Sequence, residues 1–133
     1  MNKTAFCGLF LAVLALALLV RIPGLSLRPM HHDEANQALK FGRLLEKGEY
    51  QYDKADHHGP ALYYLTLPLA WASSKTTLSS LDETTLRLLP VIFGAALVAV
   101  LLLFGQSLGR TASLFAGLFI ALSPAFTYYS RFY

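Results

Sequence analysis

Apolar residues are concentrated in three runs, which cover residues 5–20, 88–104 and about 111–129. A helix that crosses a membrane needs about 20 mainly apolar residues, so the pattern predicts three transmembrane helices. The first run reaches residue 22 if Arg21 extends its charge outward to the interface. The short stretch 105–110 predicts that the second and third helices form an antiparallel hairpin.

Capping residues and prolines define the ends of the two later helices. Ser80, followed three residues later by Glu83, fits a capping box at the start of the second membrane helix. Pro90 lies inside that helix, and Pro124 interrupts the third run. Because proline lacks a backbone N–H, both positions favour a local distortion.

The polar middle of the chain, residues 23–85, predicts a long loop that carries two further helices. Residues 35–47 have apolar positions at helical spacing, and Gly48 favours a helix end there. Residues 60–73 are apolar on most sides but too short to span, which indicates an interfacial or re-entrant helix. Residues 50–56 are expected to be extended or irregular.

The fold class expected is therefore an all-α membrane protein with three transmembrane helices and a long loop with two amphipathic or interfacial helices. Its segments are 1–22, 23–85 and 86–133. The run 5–20 lacks a small-x-small cleavage site, so we expect a retained signal-anchor. A processed, secreted product is the alternative.

Composition supports a membrane location. The chain is 55% hydrophobic and 14% charged, whereas soluble domains carry roughly 25% charged residues. All eight carboxylates lie from Asp33 to Glu83, while Lys3 and Arg110 occupy short elements without acids. A raw count of basic residues would place the 23–85 loop inside, but the positive-inside rule applies to short loops, and the length of this loop weakens the count. We therefore expect a multi-pass plasma-membrane protein with a cytoplasmic N-terminus and an external 23–85 loop. No basic cluster supports nucleic-acid binding.

The sequence His31-His32-Asp33-Glu34 is the densest group of reactive side chains. One interpretation is helix capping, with Asp33 or Glu34 at the start of the following helix. Another is a divalent metal site, because His32, Asp33 and His58 supply the ligand types that zinc prefers. Their spacing matches no compact metal signature, and no cofactor is otherwise indicated.

Four motifs occur in a characteristic order: HHDE, HGPALYY, LRLLP and ALSPAFTYYSRFY. Together they resemble the N-terminal part of membrane glycosyltransferases of the GT-C superfamily. The resemblance is to the protein O-mannosyltransferase and aminoarabinose-transferase-like group, and within it to the flippase activity-associated subgroup. It covers nearly the whole chain and implies a partial GT-C fold. It also implies the N-terminal portion of a longer enzyme, inactive by itself.

The resemblance implies transfer of a sugar from a polyprenyl-phosphate donor to an acceptor hydroxyl on the outer membrane face, with inversion. The base would be Asp33, with Glu34 as the alternative or as an orienting neighbour. A carboxylate near a low-dielectric surface is a stronger base than one in water, which agrees with this role. Neither the sugar nor the acceptor can be identified from the motifs.

The leaving phosphate needs cations or donors around it. The candidates for that contact are His57, His58, Tyr52, Arg87 and Arg131. The aminoarabinose-transferase-like relatives have Lys-Pro-Pro where this chain has residues 58–60, which leaves a metal-assisted variant open. An equally supported interpretation of both arginines is snorkelling at a helix end.

A function of a different class also fits the residues. A small non-enzymatic membrane protein would use the His-, Asp- and Glu-rich external loop to bind a metal or a partner.

Overall fold

The computed structural model describes residues 1–52, 54 and 59–133. These residues are 71% helical and contain no strand, which confirms the all-helical class. The helices are α1 Lys3–Leu19, α2 His32–Lys47, α3 Ala61–Ala72, α4 Glu83–Leu103, α5 Arg110–Leu122 and α6 Pro124–Tyr129. Short 3-10 turns occupy Leu78–Ser80 and Phe104–Gln106.

Within the described part of the chain, one helix is long and apolar enough to cross a membrane. It is α4 with its 3-10 extension, Glu83–Gln106, with 24 residues and a mean hydropathy of 2.7. The first apolar run forms a helix of 17 residues. The third is divided between α5 and α6 at Ser123, because Pro124 cannot donate the next helical hydrogen bond. Three membrane-crossing helices therefore stay a prediction.

The chain divides into two compact units, and the first contains Met1–Pro23 and Pro90–Phe132. In this unit α1 packs against α5. Its core contains Ala17, Val98, Leu102 and Ala121. A Cβ at Gly117 would lie 2.9 Å from the Leu102 side chain, so only glycine permits this close contact between neighbouring elements.

Arg21 belongs to this unit and is fully buried, so the condition for extending the first run to residue 22, an outward-directed Arg21, is not met. Its Nε donates to the Ser130 hydroxyl at 2.9 Å. Its Nη1 donates to the carbonyls of Ala17 at 3.0 Å and Ala121 at 2.8 Å. Its Nη2 donates to the carbonyl of Ile120 at 3.1 Å. Each of these partners is uncharged.

The position of the three carbonyls explains why Arg21 turns inward. Ala17 lies in the last turn of α1, and Ile120 and Ala121 lie in the last turn of α5. Carbonyls at a helix end have no partner within the helix, and together they carry about half a negative charge. Ile120 would normally bond to the amide of residue 124, which is a proline. One guanidinium thus caps two helices.

The second unit contains Gly24–Leu89 and Tyr133. Its core is formed by buried side chains of α2, α3 and the first turn of α4, together with the chain end: Ala38, Phe41, Leu44, Tyr63, Ala70, Leu86 and Tyr133. Two buried hydroxyls are paired within this core. The Tyr63 hydroxyl donates to Gln37 Oε1, and the Tyr133 hydroxyl donates to Thr66 Oγ1 at 3.3 Å.

The predicted ends of the loop helices are largely confirmed. α2 ends at Lys47, and Gly48 adopts a left-handed conformation with φ 68°, as its position after the helix predicts. α3 occupies Ala61–Ala72 within the predicted 60–73 segment. Residues 50–52 are irregular, and the rest of the predicted 50–56 stretch lies outside the described residues apart from Lys54.

Two predicted helix starts differ from the structure. α2 begins at His32 with His31 as its N-cap; Asp33 and Glu34 lie in its first turn, and the Glu34 carboxylate accepts the His31 amide, so the predicted capping role is confirmed for Glu34. At α4 the capping group is the Asp82 carboxylate, which accepts the Thr85 amide at 2.7 Å. Ser80 belongs to the preceding 3-10 turn instead, where its hydroxyl donates to the Thr77 carbonyl at 2.7 Å. The Ser80–Glu83 spacing therefore does not form a capping box.

Candidate active site

Glu34 is the centre of a buried ion cluster in the second unit. Its side chain is completely inaccessible to solvent, and Arg87 at the start of α4 binds it with both ends of its fork. Arg87 Nε lies 2.8 Å from Glu34 Oε1, and Nη2 lies 2.8 Å from Oε2. Bidentate pairing of this kind is the strongest geometry available to an arginine and a carboxylate.

Further donors complete the shell around the Glu34 carboxylate. Arg28 Nη2 lies 3.1 Å from Oε1 and 3.0 Å from Oε2. The His31 amide donates to Oε2 at 3.0 Å, which closes a capping box at the start of α2. The Tyr133 amide donates to Oε1 at 3.0 Å. Each carboxylate oxygen thus accepts three contacts.

This shell fixes the charge state of Glu34. Burial by itself would raise the pKa of the carboxyl group. The hydrogen bond from Arg87, the amides of His31 and Tyr133 and the positive charge of Arg87 outweigh burial and lower the pKa to about 2. Glu34 is therefore ionised at neutral pH and is a poor proton acceptor.

The guanidinium of Arg87 is fully engaged in hydrogen bonds. Besides Glu34, it donates from Nη1 to the carbonyls of Leu25 and Arg28, and from Nη2 to the carbonyl of Pro29 at 3.3 Å. An arginine has five N–H groups, and these contacts use all of them. The predicted roles at a lipid phosphate or at the membrane interface are not supported by this geometry, since Arg87 is buried and ties the segment 25–29 to α2.

Asp33 differs from Glu34 in its exposure to solvent. It lies in the first turn of α2, and 58% of its side chain is exposed. Its Oδ2 lies 3.5 Å from Nδ1 of His31, whose own side chain is 57% exposed. His31 Nδ1 also accepts a hydrogen bond from the Asp33 amide at 3.3 Å. An exposed carboxylate beside an imidazole is able to accept a proton from a bound hydroxyl.

The remaining histidines do not form a metal centre within the part of the chain that the structure describes. His32 points along α2, with Nε2 3.1 Å from the Asn36 side-chain nitrogen. His57 and His58 lie outside the described residues. The predicted metal set of His32, Asp33 and His58 and the predicted phosphate contacts of His57 and His58 are therefore not tested by the geometry.

Tyr52 and Arg131 are the two remaining predicted site residues. Tyr52 is 62% exposed and follows α2 by five residues. Arg131 belongs to the first unit, and its Nη2 donates to the Pro23 carbonyl at 2.7 Å.

Sequence reasoning missed the partnership of Glu34 with Arg87, which are 53 positions apart in the chain. One local signal was present, because His31 and Glu34 have the three-residue spacing of a capping box. Histidine is not among the preferred N-cap residues, so that spacing was not recognised. The contributions of Arg28 and of the Tyr133 amide had no sequence signal.

Comparison with known proteins gives no relative: no protein family, curated protein or solved structure matches this chain.

Proposed function

We propose that this chain provides the catalytic-base portion of an integral-membrane glycosyltransferase. The enzyme transfers a sugar from a polyprenyl-phosphate donor to an acceptor hydroxyl, with inversion at the anomeric carbon. The order of the HHDE, HGPALYY, LRLLP and YYSRFY motifs supports this reaction class. The proposal includes a partial GT-C fold, a multi-pass arrangement in the plasma membrane, a cytoplasmic N-terminus and an external 23–85 loop.

The observation that carries the proposal is the difference in burial and hydrogen bonding between two adjacent acids. Glu34 is buried and saturated with donors, whereas Asp33 exposes its carboxylate from the first turn of the same helix. The Glu34 cluster fixes that turn, and a fixed turn positions Asp33. Of the two candidate bases, Asp33 is thus the one available for proton transfer.

In the proposed step, the Asp33 carboxylate takes the proton from the acceptor hydroxyl. The acceptor oxygen forms a bond to the anomeric carbon while the bond from that carbon to the phosphate oxygen breaks, and the electron pair leaves with the lipid phosphate. Cations must stabilise that phosphate. Because the N–H groups of Arg87 are all engaged, Arg131, His57, His58 and the Tyr52 hydroxyl remain the candidates for this contact.

The test is donor consumption by membranes that contain the full-length gene product. We expect Asp33→Asn to lower the transfer rate by at least about a hundredfold, the range in which general bases contribute. Glu46→Gln is the matched control, because Glu46 is also an exposed carboxylate of the same unit. Transfer by the Asp33→Asn protein at the rate of the Glu46→Gln protein would overturn the proposal.

A further inference from the structure

One stripe of α1 lines an open groove in the first unit. The stripe consists of positions 3, 6, 7, 10 and 11, which have the spacing of a single helix face and cover about 12 Å of the axis. The other wall contains residues 102–106, where α4 ends and passes into its 3-10 turn. The groove has a volume of about 390 Å³, which is large enough for a small ligand or part of a larger one.

The walls of this groove are mainly apolar. Leu102 is buried, and Phe6 and Phe10 are half-buried with their rings in edge contact, 6.2 Å apart between centroids. A Cβ at Gly105 would lie 2.8 Å from the Phe6 ring, so glycine permits the turn to approach α1 this closely. Leu103 stays exposed at the rim. An apolar ligand in the groove would therefore cover hydrophobic surface that the fold leaves open.

Two cations mark one end of the groove. Lys3 and Arg110 both line it, and both are exposed. Arg110 Nη1 donates to the Met1 carbonyl at 2.9 Å, which places its guanidinium beside the start of α1. That partner is uncharged, and the sequence of the first unit contains no carboxylate. The positive charge at this end therefore has no counterion within the unit.

Helix stability does not explain these two cations. Lys3 and Arg110 are the first residues of α1 and α5, and neither helix has an acid in its first turn. The start of a helix is the positive end of its dipole, where a cation is unfavourable. At their other ends the same two helices share Arg21, where the dipole favours a cation. The helix starts are thus complementary to an anion from outside the unit.

The cationic end of the groove lies where a membrane-crossing α4 would reach the lipid headgroups. The apolar segment Glu83–Gln106 has 24 residues, or about 36 Å of helix, which exceeds the hydrocarbon core of about 30 Å. Its last residues, 102–106, form a wall of the groove. A soluble anion such as a saccharide or a nucleotide would leave the apolar walls unused, whereas a phospholipid matches both the walls and the charged end.

We infer that this groove binds an anionic phospholipid. One acyl chain lies between α1 and the end of α4, and the phosphate lies at Lys3 and Arg110. A zwitterionic lipid has the same chains, but its headgroup brings a cation of its own toward two like charges. Basic pockets between membrane helices recognise anionic headgroups in this way. The inference does not depend on the proposed sugar transfer.

The test is native mass spectrometry of the purified full chain in an uncharged detergent, with phosphatidylglycerol and phosphatidylcholine of identical acyl chains. Each cation close to an anionic headgroup strengthens binding about fivefold, so phosphatidylglycerol should bind at least about tenfold more tightly. Lys3→Gln with Arg110→Gln should remove this preference. Arg43→Gln with Lys47→Gln is the matched control, because it removes two exposed cations of the second unit, and it should keep the preference.

A second variant tests the apolar part of the groove. Cys7 is exposed and lines the groove between Lys3 and Phe10, so Cys7→Trp should fill the space and weaken the binding of phosphatidylglycerol while both cations stay in place. Undiminished binding by this variant would mean that the lipid is attracted by surface charge without a seated chain, which overturns the inference.

Three further outcomes would also overturn the inference. They are equal binding of the two lipids by the unaltered protein, an unchanged preference in the Lys3→Gln and Arg110→Gln variant, and a dimer that forms in place of lipid binding. The dimer would show that a second copy of the chain covers the groove.

Discussion

Each of the two units buries one arginine, and the two arginines have different kinds of partner for their positive charge. Arg87 in the second unit faces the carboxylate of Glu34. Among the residues that the structure describes, the partners of Arg21 in the first unit are a hydroxyl and three carbonyls, without a carboxylate. A buried charge is costly unless it is paired or hydrogen-bonded; Arg87 has an ionic partner, and Arg21 makes four hydrogen bonds.

The difference follows from the composition of the two units. All the acids of the chain lie from Asp33 to Glu83, so the unit formed by Met1–Pro23 and Pro90–Phe132 contains none. Its negative potential comes from the ends of α1 and α5 instead. The comparison teaches that an apolar unit without acids can hold a cation with helix-end carbonyls and one hydroxyl, whereas the polar unit uses an ion pair.

The largest effect is expected when the ion pair is broken. Arg87→Met leaves the buried Glu34 without its main partner and also removes donors from three carbonyls. Loss of one member of a buried pair costs about 3–5 kcal/mol. Chemical unfolding in detergent measures the cost. Arg43→Met, at an exposed arginine of the same unit, should stay within about 0.5 kcal/mol. Equal stability of the two variants would refute the ion-pair account.

A smaller effect is expected at Arg21. Arg21→Lys keeps the charge but loses the planar fork that reaches two helix ends, so we expect a loss of about 1–3 kcal/mol from carbonyls left without donors. Arg110→Lys is the control, since Arg110 is exposed and makes one described contact, to the Met1 carbonyl at 2.9 Å. Thermal unfolding measures both variants, and an equally small loss of stability for Arg21→Lys and Arg110→Lys would show that Arg21 does not cap the two helices.

Lowering the pH should weaken the ion pair of Arg87 with Glu34 and leave the hydrogen bonds of Arg21 unchanged. The pKa of Glu34 is lowered from 4.5 to about 2 in the folded protein, so its contribution to stability is complete above the unfolded value. That contribution, on the order of 3 kcal/mol, is lost as the pH falls from about 4.5 toward 2. Arg21 contributes no such dependence, because its partners do not titrate.

The measurement is the free energy of unfolding as a function of pH, for the unaltered protein and for Glu34→Gln. The variant should lack the part of the acid-induced loss that Glu34 causes, while contributions of other acids, such as Asp82, remain in both proteins. Curves of identical slope would mean that Glu34 does not carry the pH dependence.

The sequence predicted what local patterns encode. The all-helical class, the end of α2 at Gly48 and the extent of α3 follow from periodicity and from glycine and proline chemistry. The break after Ser123 was also expected from Pro124. The starts of α2 and α4 were missed because His31 and Asp82 act as caps where other residues matched the usual motifs better.

The candidate site was predicted only in part. Asp33 and Glu34 were both singled out, but their separation into an exposed and a buried acid depends on tertiary contacts. Arg87 reaches Glu34 across 53 positions, and no periodic pattern encodes such a pairing. The inward direction of Arg21 was not predicted, because the helix end of α5 that it caps is about 100 positions away in the chain.

The unfolding free energies of Asp33→Asn and Glu34→Gln, measured side by side at neutral pH, test the division between the two acids most directly. We expect Glu34→Gln to lose at least about 3 kcal/mol, because it leaves Arg87 and Arg28 facing a neutral group in a buried site. Asp33→Asn should change stability by no more than about 0.5 kcal/mol, as at other exposed positions. Equal losses, or a larger loss for Asp33→Asn, would contradict the assignment of Glu34 as the buried anchor of this helix start and of Asp33 as a carboxylate that the fold does not need.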